Sequence, residues 1–304
     1  MRIHTIDLQF QRQPGLIAAY LIESGGELAL IETGPATCLE ALDHGIREAG
    51  FEPGTVRKVL VTHIHLDHAG AAGHWAARGA HIFVHERGAR HLADPGKLIE
   101  GARAVYGEAL GTLWGDILPV PEAQLTALRE GDTFRVASSS FAVWDAPGHA
   151  RHHVVLVGDG LAFTGDNVGV RLPGCRYISP ATAPSQFDPD ALLASLERLR
   201  AAALERIYPT HFGAIEGATA VTEHLDRYAG LIREIKELAL SLVPSGSNGS
   251  GFTTAFQAHC RDRALRDGID DAAWRRYETA NDSAMCAEGV RLWCEGLLKS
   301  GHPV

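Results

Sequence analysis

The stretch Thr62–Gly70, THIHLDHAG, constrains this chain more than any other feature. It places three histidines and an aspartate within six positions, directly after the apolar run VRKVLV. A lone histidine on an apolar strand is usually a satisfied core residue, but packing does not explain four coordinating side chains at a strand end. Because side chains alternate along an extended chain, His63 and His65 point the same way and Asp67 follows them. With His68 added where a helix begins, the stretch predicts a loop that supplies ligands to two metal ions.

Further ligands must come from elsewhere, because a divalent ion takes at least three protein ligands and two adjacent ions take a bridging group. Three residues outside the motif are candidates: His149 in DAPGHA, Asp166 in FTGDN and His211 in YPTHFG. Each follows a strand-like run and stands beside Gly or Pro, which is typical of a loop at a strand end.

Together, the ordered motifs H-x-H-x-D-H, G-H, T-G-D and T-H resemble the signature of the metallo-β-lactamase superfamily, over roughly residues 1–243. The resemblance implies an α/β fold class, an αββα sandwich of two mixed β-sheets flanked by helices, with a dinuclear site along one sheet edge. It also implies how the seven ligands divide between the metals: His63, His65 and His149 at one, Asp67, His68 and His211 at the other, and Asp166 at both. Glu32, in LIETGP, stands where family members commonly carry aspartate.

The bridging aspartate resembles the glyoxalase II, lactonase and phosphodiesterase-like members, whereas the true β-lactamases that resemble this motif lack it. Asp67 and Asp166 offset only half the charge of two divalent ions, so the remaining charge favours a metal-bridging hydroxide over water. That hydroxide is the predicted nucleophile, and one metal polarises the scissile carbonyl. Asp67 is the predicted catalytic side chain, as the acceptor of the hydroxide proton.

Zinc is the predicted metal, with two ions per chain. Iron and manganese are the alternatives, because imidazole and carboxylate ligands without thiolate suit all three.

The predicted reaction is hydrolysis of an ester, thioester or lactone bond of a small metabolite. Two alternatives stay open: a phosphodiesterase or nuclease-like hydrolase, and a binding or signalling protein that retains metal but turns over little. With 28 Lys and Arg against 37 Asp and Glu, the chain has a net charge of −9 and no basic block that would follow a phosphate backbone. Nucleic acid is therefore not an expected partner.

Arg171 and Tyr177, in the loop after Asp166, are the predicted substrate contacts, and a homodimer is left open.

With 304 residues, 45% of them hydrophobic, the chain can form one large domain with an appendage. We predict a hydrolase domain over residues 1–243 with a helical insertion at about 86–118, and an α-helical C-terminal appendix over residues 252–304. Between them, PSGSNGSG (244–251) is expected to break regular structure. Short strands are expected at 2–10, 16–23, 27–33, 56–62 and 80–84, and after the insertion at 133–136, 141–145, 153–157 and 161–164. Asp188 is expected to cap a helix that begins at Pro189.

The N-terminus alternates polar and apolar residues and lacks the long apolar stretch of a signal peptide or membrane span. Five scattered cysteines form no C-x-x-C pair and give no disulfide framework. These features predict a cytoplasmic protein without a membrane partner.

Overall fold

The computed structural model describes residues 1–242 and 249–299. The chain forms two compact units: the first comprises Met1–Asp145 and His152–Gly165, and the second comprises Ala146–Arg151 and the described residues from Asp166 onward. The division that the sequence predicts between residues 243 and 252 stays a prediction. Of the expected linker, residues 244–248 lie outside the described residues. Residues 249–251 begin a helix instead of breaking one, because the buried Phe252 and Phe256 extend its apolar face.

The first unit contains a six-stranded mixed sheet. Its strands are β1 (Arg2–Asp7), β2 (Ala18–Ser24), β3 (Glu27–Ile31), β4 (Lys58–Leu60), β5 (His81–His85) and β6 (Leu125–Leu128). They lie side by side in chain order; β1 to β3 are antiparallel and β3 to β6 are parallel. The parallel strands β3 to β5 contain the apolar runs LALI, VL and IFV, as is typical of parallel strands covered on both faces.

Two details of this sheet differ from the sequence prediction. Strand β1 ends at Asp7 rather than at residue 10, because the Asp7 carboxylate accepts hydrogen bonds from the amides of Gln9 (2.9 Å) and Gly15 (2.7 Å) and closes a turn. Strand β6 is absent from the prediction. Its four residues are too few to show a period, and pairing with β5 makes them a strand.

A second, antiparallel layer lies in the same unit. It comprises β7 (Thr133–Val136), β8 (Ser139–Asp145), β9 (Val154–Gly158) and β10 (Leu161–Gly165). The two layers share an aromatic core, in which the ring centroids of Tyr20 and Phe163 lie 5.6 Å apart and those of Phe83 and Phe134 lie 5.1 Å apart. These contacts pack the two sheets face to face, as in a β-sandwich.

The helices of the first unit are α1 (Leu39–Glu48), α2 (Leu66–Ala69), α3 (Ala72–Ala77), α4 (Glu86–Ala93), α5 (Gly96–Tyr106) and α6 (Leu110–Trp114). Helices α4 to α6 occupy the predicted insertion, so its helical character is confirmed. Trp114 packs the insertion against the N-terminal segment. Its ring stacks on that of Phe10 with centroids 5.3 Å apart, and the ring centroid of Tyr106 lies 5.2 Å from that of Trp114.

The second unit is mainly helical. It contains α7 (Pro189–Ala201), the antiparallel pair β11 (Arg206–Pro209) and β12 (Ile215–Glu216), α8 (Ala218–Leu242), α9 (Gly249–Arg266), α10 (Asp271–Ala280) and α11 (Ser283–Lys299). The expected cap of α7 is confirmed, because the Asp188 carboxylate accepts hydrogen bonds from the amides of Asp190 and Ala191, both 3.1 Å. The helical character expected of residues 252–304 is confirmed as far as Lys299, and residues 300–304 lie outside the described residues. No helix within 1–242 or 249–299 is long and apolar enough to cross a membrane.

Candidate metal centre

The histidine-rich motif lies in the first unit, between the end of β4 and the short helix α2. Nε2 of His63 and Nδ1 of His65 are 3.0 Å apart. Oδ2 of Asp67 and Nε2 of His68 are 3.5 Å apart. The start of α2 at Leu66 turns the chain back, so the His68 ring centroid comes to 3.9 Å from that of His63. The four coordinating side chains of the motif therefore converge on one small region.

Glu32, just beyond β3, orients two of these histidines. Its fully buried carboxylate accepts hydrogen bonds from the Thr62 hydroxyl (2.5 Å) and from Nδ1 of His68 (3.0 Å). Because the Thr62 hydroxyl donates its one proton to Glu32, its oxygen accepts from Nδ1 of His63, 3.1 Å away. Both rings therefore carry their proton on Nδ1 and their lone pair on Nε2. Glutamate thus makes the contact for which family members commonly use aspartate.

Two further histidines pack against this group. His152 and His153 are buried, and their rings stack on that of His63 with centroids 6.2 and 5.0 Å away. Gly165, at the end of β10, leaves room for this arrangement. A Cβ at that position would lie 2.5 Å from both Nε2 of His153 and the Thr62 hydroxyl oxygen, and the backbone has a φ of +52°.

The other expected ligands lie in the second unit around one carboxylate. Nε2 of His149 is 3.6 Å from Oδ2 of Asp166, and Nε2 of His211 is 3.6 Å from Oδ1 of the same carboxylate. Both separations are too long for a hydrogen bond. They match the roughly 3.3–3.6 Å between neighbouring ligand atoms that lie about 2.0–2.2 Å from a tetrahedral metal. Each oxygen of Asp166 thus faces a different histidine.

Backbone contacts hold these ligands in place. Nδ1 of His149 donates to the carbonyl of Ala181 over 2.9 Å, which leaves the lone pair on the Nε2 that faces Asp166. The carbonyl of His211 accepts from the amide of Arg171 at 2.7 Å. Sequence reasoning did not find Ala181, because a backbone carbonyl has no residue-type signal.

The two predicted substrate contacts differ in their surroundings. Arg171 is half-buried, and burial, followed by the nearby Arg227, lowers the pKa of its guanidinium. Tyr177 is buried against Tyr277 and Trp274, with ring centroids 5.0 and 6.1 Å away, and burial raises the pKa of its phenol well above the ordinary value. Its predicted role in substrate binding stays a prediction.

Each unit therefore groups its expected ligands: four in the first and three in the second. The donors are imidazole and carboxylate throughout, a set that suits Zn²⁺, Fe and Mn. The Nδ1 hydrogen bonds of His63, His68 and His149 are those that metal-binding histidines make to fix the tautomer. The residues present thus fit divalent metal ions.

Known proteins are similar to this chain in sequence and in fold. One curated relative, a hydroxyacylglutathione hydrolase of Xanthomonas campestris pv. campestris (strain B100), is 31% identical over 179 residues, 58% of this chain and 54% of the relative. A second, from Methylobacterium sp. (strain 4-46), is 28% identical over 257 residues, 79% of this chain and 87% of the relative. The chain thus spans about half the length of the Xanthomonas relative.

A crystal structure of a metallo-beta-lactamase family protein from Thermus thermophilus superposes with a TM-score of 0.69 at 22% identity, covering 99% of this chain and 93% of that one. This similarity confirms the predicted αββα fold class. The family model described as metallo-beta-lactamase superfamily matches residues 12–211, an interval that contains the histidine-rich motif, His149, Asp166 and His211. On this match, on the fold and on the grouping of histidine and aspartate side chains, the chain belongs to the metallo-β-lactamase superfamily.

Proposed function

We propose that this chain is a metal-dependent hydrolase that cleaves an ester, thioester or lactone bond of a small metabolite. The observation that carries the proposal is the Asp166 carboxylate, whose two oxygens each lie 3.6 Å from a different histidine. A carboxylate in that position could be shared by two metal ions. The proposed ligands are His63, His65 and His149 for one ion, Asp67, His68 and His211 for the other, and Asp166 for both.

Zinc is the proposed metal. Two bound divalent ions would supply a hydroxide nucleophile at neutral pH and polarise the scissile carbonyl.

Asp67 is the proposed proton acceptor, and its side chain is 20% exposed and therefore accessible to a reacting group. An Asp67→Asn variant that keeps its full metal content and its turnover would rule this role out.

Arg171 indicates the charge of the substrate. Among residues 1–242 and 249–299, no carboxylate pairs with its guanidinium, and burying a cation without a partner is costly. The amide of Arg171 is bonded to the carbonyl of the proposed ligand His211, so the arginine stands beside the proposed site. We infer that it binds an anionic group of the substrate.

Replacing this arginine tests the inference. Arg171→Ala should raise KM for an anionic substrate by about 10- to 100-fold, the loss expected for a charged hydrogen bond, with kcat little changed. Arg176→Ala, an exposed arginine in the same loop, is the matched control and should leave KM unchanged. An unchanged KM in Arg171→Ala would remove this residue from substrate binding.

The curated relatives are named hydroxyacylglutathione hydrolases, so a thioester of a small thiol is the first substrate to test. Metal-loaded protein is assayed on thioesters, lactones, carboxylic esters, phosphodiesters and β-lactams. We expect kcat/KM above about 10⁴ M⁻¹s⁻¹ on at least one of the first three. A preference for phosphodiesters would favour the phosphodiesterase alternative, and rates far below this value on every class would favour a binding or signalling protein. The cytoplasmic location and the homodimer stay predictions.

A further inference from the structure

The imidazole of His149 depends on a segment that has no regular secondary structure of its own. Its Nδ1 proton is accepted by the carbonyl of Ala181, and residues 180–186 contain neither helix nor strand. The position of that carbonyl must therefore be fixed by other parts of the second unit. If it moved, the ring could rotate or take the other tautomer, and Nε2 would no longer present its lone pair beside Asp166.

The amide of Ala181 donates to the Tyr228 hydroxyl of α8 at 3.2 Å, and the C-terminal helices make further fixing contacts on either side of Ala181. At the end of α10, the Asn281 amide donates to the carbonyl of Pro180 and to the Ser179 hydroxyl, both at 2.9 Å. From α11, the carbonyl of Cys286 accepts the Thr182 hydroxyl at 3.0 Å. These hydrogen bonds bracket Ala181 on both sides and are buried.

Helix α11 also touches the backbone of this segment directly. A Cβ at Gly289 would lie 1.8 Å from the carbonyl oxygen of Thr182 and 2.8 Å from the carbonyl carbon of Ala183. Both atoms belong to the main chain, so no side-chain rotation would relieve the overlap. Glycine is the one residue that permits so close an approach.

We propose that the C-terminal helices act on the metal centre: Asn281 and Gly289 are positioning residues that fix the Ala181 carbonyl and, through it, the His149 imidazole. The inference rests on the proposed function, in which His149 is a metal ligand. The C-terminal region thereby contributes to metal affinity through a neutral backbone carbonyl, without supplying a ligand itself.

Two pairs of variants test this proposal. Gly289→Ala forces α11 away from Thr182, and its control is Gly296→Ala in the same helix, where a Cβ meets nothing within 4 Å. Asn281→Asp replaces the donating amide nitrogen by an oxygen. Its control is Gln257→Glu, the same chemical change in α9, where the amide donates to Ser283 instead. The second pair decides the question if Gly289→Ala does not fold.

Zinc affinity is measured by competition with a chromogenic chelator, and the visible spectrum of the cobalt-loaded protein is recorded. We expect Gly289→Ala and Asn281→Asp to bind one of the two ions about 10- to 100-fold more weakly and to show an altered cobalt spectrum. The two control variants should have the affinity and the spectrum of the wild type. In a His149→Ala background, neither substitution should weaken metal binding further. Folded variants with wild-type affinity and spectrum, or an equal loss in the His149→Ala background, would overturn the proposal.

A readout without metal separates this inference from the proposed function. In the metal-free protein, the ring Nδ1–H of His149 should give a protected ¹H–¹⁵N signal that Asn281→Asp loses and Gln257→Glu keeps. Wild-type protein that binds no metal would contradict the proposed function, whereas a His149 signal unaffected by Asn281→Asp would contradict the positioning role.

Discussion

The Glu32 carboxylate accepts hydrogen bonds from both the Thr62 hydroxyl and the His68 ring, and through Thr62 it also sets the tautomer of His63. One buried carboxylate thus orients a proposed ligand of each metal. Sequence motifs identify the ligands and Glu32 itself. They do not show that the longer glutamate reaches both partners, because that depends on the backbone after β3, where Glu32 has a φ of +66°.

Substituting this carboxylate should weaken metal binding. Glu32→Gln keeps the size of the side chain but replaces one accepting oxygen with a donor, so a ring or hydroxyl contact is lost. We expect metal affinity to fall about 10- to 100-fold, as measured by chelator competition. Glu27→Gln, on the exposed face of β3, is the matched control, and wild-type affinity in Glu32→Gln would contradict the orienting role.

His224 provides a pH-dependent contribution to stability. It lies in α8, buried, and its Nε2 donates to the carbonyl of Val168 at 2.9 Å. Its pKa is lowered from 6.5 to about 4, chiefly by burial and also by the nearby Arg171 and Arg227, whereas the hydrogen bond to Val168 acts in the opposite direction. Between these values the unfolded chain binds a proton that the folded chain does not.

The stability that comes from neutral His224 is therefore complete above pH 6.5 and is lost as the pH falls towards 4. The shift corresponds to about 3 kcal/mol in the free energy of unfolding. Denaturant titrations of wild type and His224→Gln should differ in pH slope across this range, whereas the exposed His44→Gln should match the wild type. Identical slopes for all three proteins would refute the assignment.

At the scale of elements, helix α7 supports the loop that carries His149. The Asp188 amide donates to the carbonyl of Gly148 at 2.8 Å, and the Ser195 hydroxyl donates to the carbonyl of Pro147 at 2.8 Å. A Cβ at Gly148 would lie 2.3 Å from Cα of Leu192, so the loop runs against the helix backbone. The sequence predicted the start of α7 because cap signals are local, but these loop contacts are non-local.

Removing the cap should destabilise α7 without changing its apolar face. Asp188→Ala is expected to lower the free energy of unfolding by about 1 kcal/mol, since two helix amides lose their acceptor. Glu197→Ala, exposed in the middle of the same helix, should cost only a few tenths of a kcal/mol. Thermal unfolding distinguishes the two variants, and an equal effect would show that the cap contributes nothing.

At the scale of the molecule, four proposed ligands belong to one compact unit and three to the other. Metal that binds the folded chain but not the unfolded chain stabilises the fold by mass action. Metal binding and the stability of the folded chain would therefore be coupled.

Metal removal tests this coupling. Free zinc at 100 times its dissociation constant should add about 2.7 kcal/mol to the free energy of unfolding for each ion bound, and excess chelator should reverse the gain. Elemental analysis should find two ions per wild-type chain and fewer in His211→Ala, with wild-type content in the exposed His44→Gln. A melting temperature that does not respond to zinc or chelator would contradict a metal centre in the folded chain.

The amino-acid sequence displays which side chains are available for metal binding and in what order, and it predicts the start of α7 and the superfamily. Those features depend on residue type and local spacing, which a single chain displays directly. Three contacts are visible only in the folded chain. Glu32 orients the rings of His63 and His68, and the Ala181 carbonyl orients His149. Gly289 allows α11 to approach the backbone of Thr182. These contacts join residues far apart in the chain, often through backbone atoms that every residue has, and so they leave no pattern in the sequence.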